Sequence, residues 1–273
     1  MIVVENKRIG EIPLLHLAQK ELFDEKLPLV IFVHGFTSAK EHNLHYAYLL
    51  AEKGFRVVLP EALYHGERKP TLSKHDLNIR FWEIVLKMID DLDLIKTYFE
   101  GENKIDSQKI GLAGTSMGGI VTLGALTKYP WVKSAVSLMG MPYYEKFALW
   151  QLEELKKNNI TLPLAQSDLD QLLNQLRELD LSLQPEKLAN RPLLFWHGKQ
   201  DTVVPYHFTY QFYKEIKTLY KKNPEYLQFI SDEHADHKVS RDGVLKTVEW
   251  FEKHLLSSDM MYITSLGEPS SIK

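Results

Sequence analysis

The chain contains no cysteine among its 273 residues. Disulfide bridges, thiolate metal sites and a cysteine nucleophile are thereby excluded, and nothing argues against a reducing compartment. Long apolar runs are missing as well: none approaches the roughly 20 residues that a bilayer-spanning helix requires. Excess positive charge is also absent. The formal net charge is −3 and the basic residues are scattered, which speaks against a nucleic acid or an anionic membrane as partner. There is no internal repeat and no low-complexity tract. The opening residues, Met1-Ile2-Val3-Val4-Glu5-Asn6-Lys7-Arg8, lack the basic-then-apolar order of a secretory signal, so the expected location is cytoplasmic.

What is present is the composition of a globular protein, 44% hydrophobic and 25% charged. That suffices for a large core within a single domain spanning residues 1–273. Residues 2–9 and 14–18 read as a two-strand opening with a turn at 10–13. Continuous apolar runs follow at 29–33, 55–59, 110–113, 135–139, 193–196 and 227–230, the pattern of strands buried on both faces. Between them lie helical patterns. The clearest runs through Phe81, Val85, Met88, Leu92, Ile95 and Phe99, one apolar stripe, with Lys87, Asp90, Asp91, Asp93 and Lys96 at the other positions. Repeated strand–helix alternation predicts an α/β fold with a mostly parallel central sheet and helices on both faces.

Residues 142–191 interrupt that rhythm with two helical stretches, 143–158 and 167–179, where a plain α/β chain has one connection. The second carries an apolar face of Leu169, Leu172, Leu173, Leu176 and Leu179. This insertion is expected either to roof a pocket as a helical cap or to form a peripheral helical pair. The tail, 257–273, is polar and is expected to be loosely held.

One pentapeptide points to chemistry. Gly114-Thr115-Ser116-Met117-Gly118 lies between a buried strand and an apolar, helix-compatible segment. Glycine two before and two after the serine permits a sharp turn, which holds the hydroxyl out at the carboxyl edge of the sheet. A serine nucleophile needs a base, a carboxylate to orient that base, and donors for an oxyanion. Asp201 follows the strand that ends at His197-Gly198, on the same sheet edge, and is the carboxylate candidate. The base should follow a later strand, where His234 and His237 compete; His237, directly before the last helical segment, is preferred. A metal site from His234, Asp236 and His237 has no third cluster to support it. The oxyanion donors are expected to be the Met117 N–H and the Phe36 N–H, with Gly35 permitting an unusual turn and His34 structural.

These segments carry a resemblance. The His-Gly-Phe-Thr-Ser loop at 34–38, Gly-Thr-Ser-Met-Gly-Gly at 114–119, the His-Gly-x-x-Asp block at 197–201 and His237 resemble those of α/β-hydrolases. More narrowly, the chain is similar to small serine esterases of the prolyl-oligopeptidase and dienelactone-hydrolase groups. The resemblance implies Ser116 as nucleophile, Asp201 as orienting acid, His237 as base, Phe36 and Met117 as oxyanion donors, and no cofactor or metal. The chain departs from it in two ways. Similar chains often have glycine before the histidine, where Asp236 stands here, and dienelactone hydrolases proper use cysteine. His65-Gly66-Glu67-Arg68 is expected either to border the pocket or to form a surface loop. The expected activity is cleavage of a small-molecule carboxylic ester, with aromatic residues Tyr143, Tyr144, Phe147 and Trp150 offering an apolar pocket. A peptidase on short or acylated peptides, and a catalytically silent binding protein, are the alternatives.

Overall fold

The computed structural model describes residues 1–68, 72–157 and 165–256. The expected tail at 257–273 and the middle of the 142–191 insertion lie outside the described residues. Eight strands form one sheet: β1 (Ile2–Ile9), β2 (Ile12–Gln19), β3 (Leu27–Val33), β4 (Arg56–Pro60), β5 (Ile105–Thr115), β6 (Ser134–Leu138), β7 (Leu193–Gly198) and β8 (Leu227–Asp232). Their spatial order is β1-β2-β4-β3-β5-β6-β7-β8. Pairing is antiparallel for β1 with β2 and for β2 with β4, and parallel for the rest. The central strands are buried on both faces because helices cover both, which is why they read as unbroken apolar runs.

Eight α-helices accompany the sheet in the described residues: α1 (Leu44–Glu52), α2 (Lys74–Ile79), α3 (Phe81–Gly101), α4 (Met117–Lys128), α5 (Tyr144–Lys157), α6 (Gln166–Leu179), α7 (Tyr206–Ile216) and α8 (Arg241–Leu255). Helices α3 and α4 pack with Leu29, Ile31 and Val33 on one face of β3. On the other face, α1 and α8 pack with Val30 and Phe32. The period-2 alternation of β3 thus divides the core into two layers.

Two local readings need correction. Asp91, one of the charged residues at the positions off the apolar stripe of α3, is fully buried. It is paired with Arg68 at 2.7 Å and with Lys87, and a buried carboxylate persists only when so partnered. Strand β5 begins at Ile105, well before the apolar run at 110–113. Its polar residues Asp106-Ser107-Gln108-Lys109 lie within a shift of register, between the pairs Leu27–Ile105 and Leu29–Ile110, and are only partly covered.

Candidate active site

Ser116 stands between the last residue of β5 and the first of α4, with φ 53° and ψ −115°. Such a backbone costs an L-residue on the order of 1–3 kcal/mol and persists only where its surroundings over-determine it. The flanking glycines do not themselves take up the bend. They clear room for it: a Cβ on Gly114 would lie 2.3 Å from the Gly118 carbonyl carbon, and one on Gly118 would lie 2.0 Å from the Val33 oxygen. The Ser116 N–H donates to Leu138 O at 2.8 Å, tying the turn to β6. Met117 follows as the first helical residue, so its N–H has no acceptor within α4 and lies at the positive end of the helix dipole.

Three distant segments meet here. The Ser116 hydroxyl lies 2.8 Å from His237 Nε2, and His237 Nδ1 lies 2.7 Å from Asp201 Oδ2. The other Asp201 oxygen accepts the N–H groups of Val203 and Val204, both at 2.9 Å. Burial alone would raise the Asp201 carboxyl. The contacts of His197 and His237 and the Val204 N–H outweigh it, so the group sits well below the usual carboxylate range. Asp201 is therefore an anion that holds His237 with its Nδ1 protonated and its Nε2 lone pair turned to the serine. His234, the competing histidine, is exposed, and its backbone N–H donates to Asp232 Oδ1 at 3.2 Å.

Two residues that shape this arrangement carried no clear signal in the sequence. His197, at the end of β7, is fully buried. It donates from Nε2 to Val204 O at 2.8 Å and lies 3.2 Å from Asp201 Oδ2, so it grips both ends of the Asp201 turn. The His-Gly-x-x-Asp block displayed it only as the polar end of an apolar strand. Asp232 accepts the His234 and Ala235 N–H groups and folds the loop that delivers His237.

The loop after β3 also differs from expectation. Gly35 is not in the left-handed region, and a Cβ there would make only ordinary contacts with Thr115 and Ser116. The left-handed residue is Thr37, at φ 61°. His34 is buried, as a structural residue should be: its Nδ1 lies 2.8 Å from Gly35 O and its Nε2 accepts the Ala62 N–H at 3.0 Å. His65 neither borders the cavity nor lies on the surface. It is buried beneath the loop, 3% exposed. Around it, Glu61 accepts both the backbone N–H and the ammonium of Lys40 at 3.1 Å. Glu67 takes a second Lys40 contact at 2.6 Å, and Arg68 holds Glu61 O and Asp91.

A cavity of about 400 Å³ opens above Ser116. Phe36, Ile79, Phe81, Trp82 and Ile120 line it from the loop after β3 and from α2, α3 and α4. Phe147, Trp150, Leu155, Leu169 and Leu172 line it from α5 and α6. Of the four aromatic residues expected to make a pocket, Phe147 and Trp150 line it. Tyr144 is instead fully buried with its hydroxyl on Ile120 O, and Tyr143 bonds Glu215 at 2.8 Å.

Residues 85–258 match the prolyl oligopeptidase family. The chain belongs to that family. YitV of Bacillus subtilis (strain 168), provisionally named an esterase, is 56% identical over 255 residues, 93% of this chain and 100% of that protein. The esterase YjfP of Escherichia coli (strain K12) is 33% identical over 205 residues, 75% of this chain and 81% of that one. The crystal structure of TT1662 from Thermus thermophilus superposes with a TM-score of 0.72 at 19% identity, covering 94% of this chain and 99% of that one; it shares the fold. As a prolyl oligopeptidase family member with these esterase-named relatives, the chain is a serine hydrolase of α/β-hydrolase fold. Among the described residues, no helix of this family member is long and apolar enough to cross a membrane.

Proposed function

We propose that the chain hydrolyses small-molecule carboxylic esters through an acyl-enzyme on Ser116, with His237 as base, Asp201 as its orienting anion, and the Phe36 and Met117 N–H groups as oxyanion donors. The observation that carries this is the unbroken hydrogen-bonded line from Ser116 Oγ through His237 to Asp201 at the floor of an apolar cavity. Ser116 Oγ attacks the acyl carbon as its proton passes to His237 Nε2. The oxyanion takes up the two main-chain donors, each typically worth about 10²–10³ in turnover. His237 returns the proton to the departing alcohol, and water, deprotonated by the same imidazole, releases the acid.

The cavity suggests which end of the ester it receives. Its lining includes Phe36, whose N–H is a proposed oxyanion donor, and Ile120, together with Val203 and Val204 of the Asp201 turn, whereas His237, which must reach the departing oxygen, is not among the lining residues. In this reading the apolar acyl group is enclosed and the alcohol leaves on the open side. Helices α5 and α6 then act as a cap, part of an insertion at 142–191. The test is hydrolysis of p-nitrophenyl esters of graded acyl length beside one peptide amide. Turnover of the esters with no turnover of the amide is expected; cleavage of the amide alone would replace the reading with a peptidase.

A further inference from the structure

We infer that His65 is a positioning residue for the oxyanion loop, locking the peptide that follows Phe36; the inference rests on the reading of Phe36 N–H as an oxyanion donor. His65 reaches the loop from below. Its Nε2 accepts the Thr37 N–H at 2.9 Å, while its Nδ1 donates to Leu63 O at 2.8 Å. Those two bonds specify one neutral tautomer, with the proton on Nδ1. They also remove the Thr37 N–H from the cavity, so that this amide cannot compete with Phe36 for an oxyanion. The His65 ring meets the Phe36 ring edge-on at 5.5 Å, and Phe36 meets Phe81 at 5.4 Å in the same manner. Both the backbone after Phe36 and its side chain are thus set by one buried imidazole.

Backbone geometry supports this role independently. Thr37 has φ 61° and Tyr64, adjacent to His65, has φ 63°. Neither is glycine, and each such conformation must be held in place by its surroundings. The His65–Thr37 bond joins the two strained points. From the far side, Glu61 holds the Lys40 backbone N–H at 3.1 Å, so the loop is gripped at Thr37 and at Lys40. A loop left to relax at Thr37 would turn the Phe36 peptide, and a misplacement of about 1 Å costs on the order of 10² in rate.

The test uses two substitutions that divide the imidazole into its halves. The amide oxygen of His65→Gln reaches as far as Nε2 and restores the acceptor for Thr37. His65→Asn restores only the donor to Leu63 O. The readout is the second-order rate of labelling by a fluorophosphonate probe, whose phosphoryl oxygen needs the same donors whatever the natural substrate is. Expected is a fall of about 10- to 100-fold in H65N and of no more than about 3-fold in H65Q. Affinity for a simple apolar competitor should stay at the wild-type value in both. Equal losses in the two variants, or H65N faster than H65Q, overturns the positioning role. If H65N does not fold, the ring of the wild-type protein decides by ¹⁵N NMR at neutral pH: an unprotonated Nε2 is expected, and an Nε2–H tautomer overturns the inference. Normal labelling without ester turnover would defeat the ester reading alone, and the variants would still judge His65. A wild type that resists the probe overturns both.

Discussion

Helix α4, behind Ser116, and helix α6, over the cavity, are nearly equal in length and opposite in character. Ten of the twelve residues of α4 are buried, from Met117 to Leu126. Only Leu173 and Leu176 are buried among the fourteen of α6. The first is set in the sheet on one of its two faces; the second rests on the molecule by one narrow stripe. The proposed nucleophile is therefore carried by a thoroughly buried segment, where a strained φ can be maintained. The α6 wall of the cavity is lightly buried, and there side chains change with little cost to the fold. On this account, substitutions at the sheet edge alter chemistry without altering which ester is preferred, and substitutions in the roof do the reverse.

The largest effect should come from Ser116→Ala. Loss of one oxygen is expected to reduce ester turnover by about 10⁵-fold or more, with a thermal melt within a few degrees of wild type. An active S116A protein would break the comparison at once. Asp201→Asn comes next, with a fall of roughly 10⁴ in kcat through the wrong imidazole tautomer; full activity there would point to another acid. Both should leave the order of preference among acyl lengths unchanged.

Glu61 tests the rigid half through stability. Burial would raise its carboxyl, but His34 and Lys40 outweigh that and bring it down to about 2 from an ordinary 4.5. A pKa lowered in the folded state gives stability that is complete above the unfolded value and disappears as pH falls through the folded one. Wild type should therefore exceed Glu61→Gln by about 3 kcal/mol at neutral pH, the gap closing between roughly pH 4.5 and pH 2. Denaturant melts across that range measure it, and a gap independent of pH would contradict the assignment. The smallest effect belongs to the roof. Leu172→Ala should cut kcat/KM for a hexanoyl ester several-fold, at about 0.8 kcal/mol for each buried methylene no longer covered, and leave an acetyl ester unaffected. Equal losses for both esters would show that α6 does not choose the acyl group.

Much of this arrangement was legible in the residues. The parallel strands declare themselves because burial on both faces leaves no polar position in 29–33 or 193–196. Ser116 is visible because two glycines must stand where the turn closes on Val33 and Gly118. What was not legible depends on where side chains and peptides point after folding. Thr37, not Gly35, takes the left-handed conformation, and a threonine gives no notice of it, since its own preference runs the other way. Asp91 gave no sign of its burial because its partner Arg68 lies 23 positions away, in a loop with no pattern of its own. His65 looked equally suited to a pocket rim or a surface loop, because only the fold reveals that the loop after β4 passes beneath the loop after β3. Asp236, where the resemblance led one to expect glycine, is exposed, so its side chain costs the His237 loop nothing.

The most direct measurement is to label the protein with a fluorophosphonate, digest it and locate the adduct by mass spectrometry in wild type, His237→Ala and His234→Ala. A single adduct on Ser116 is expected in wild type and in H234A at similar rates, with labelling slower by orders of magnitude in H237A. An adduct on another residue, or an H237A protein that labels normally while H234A does not, would contradict the account.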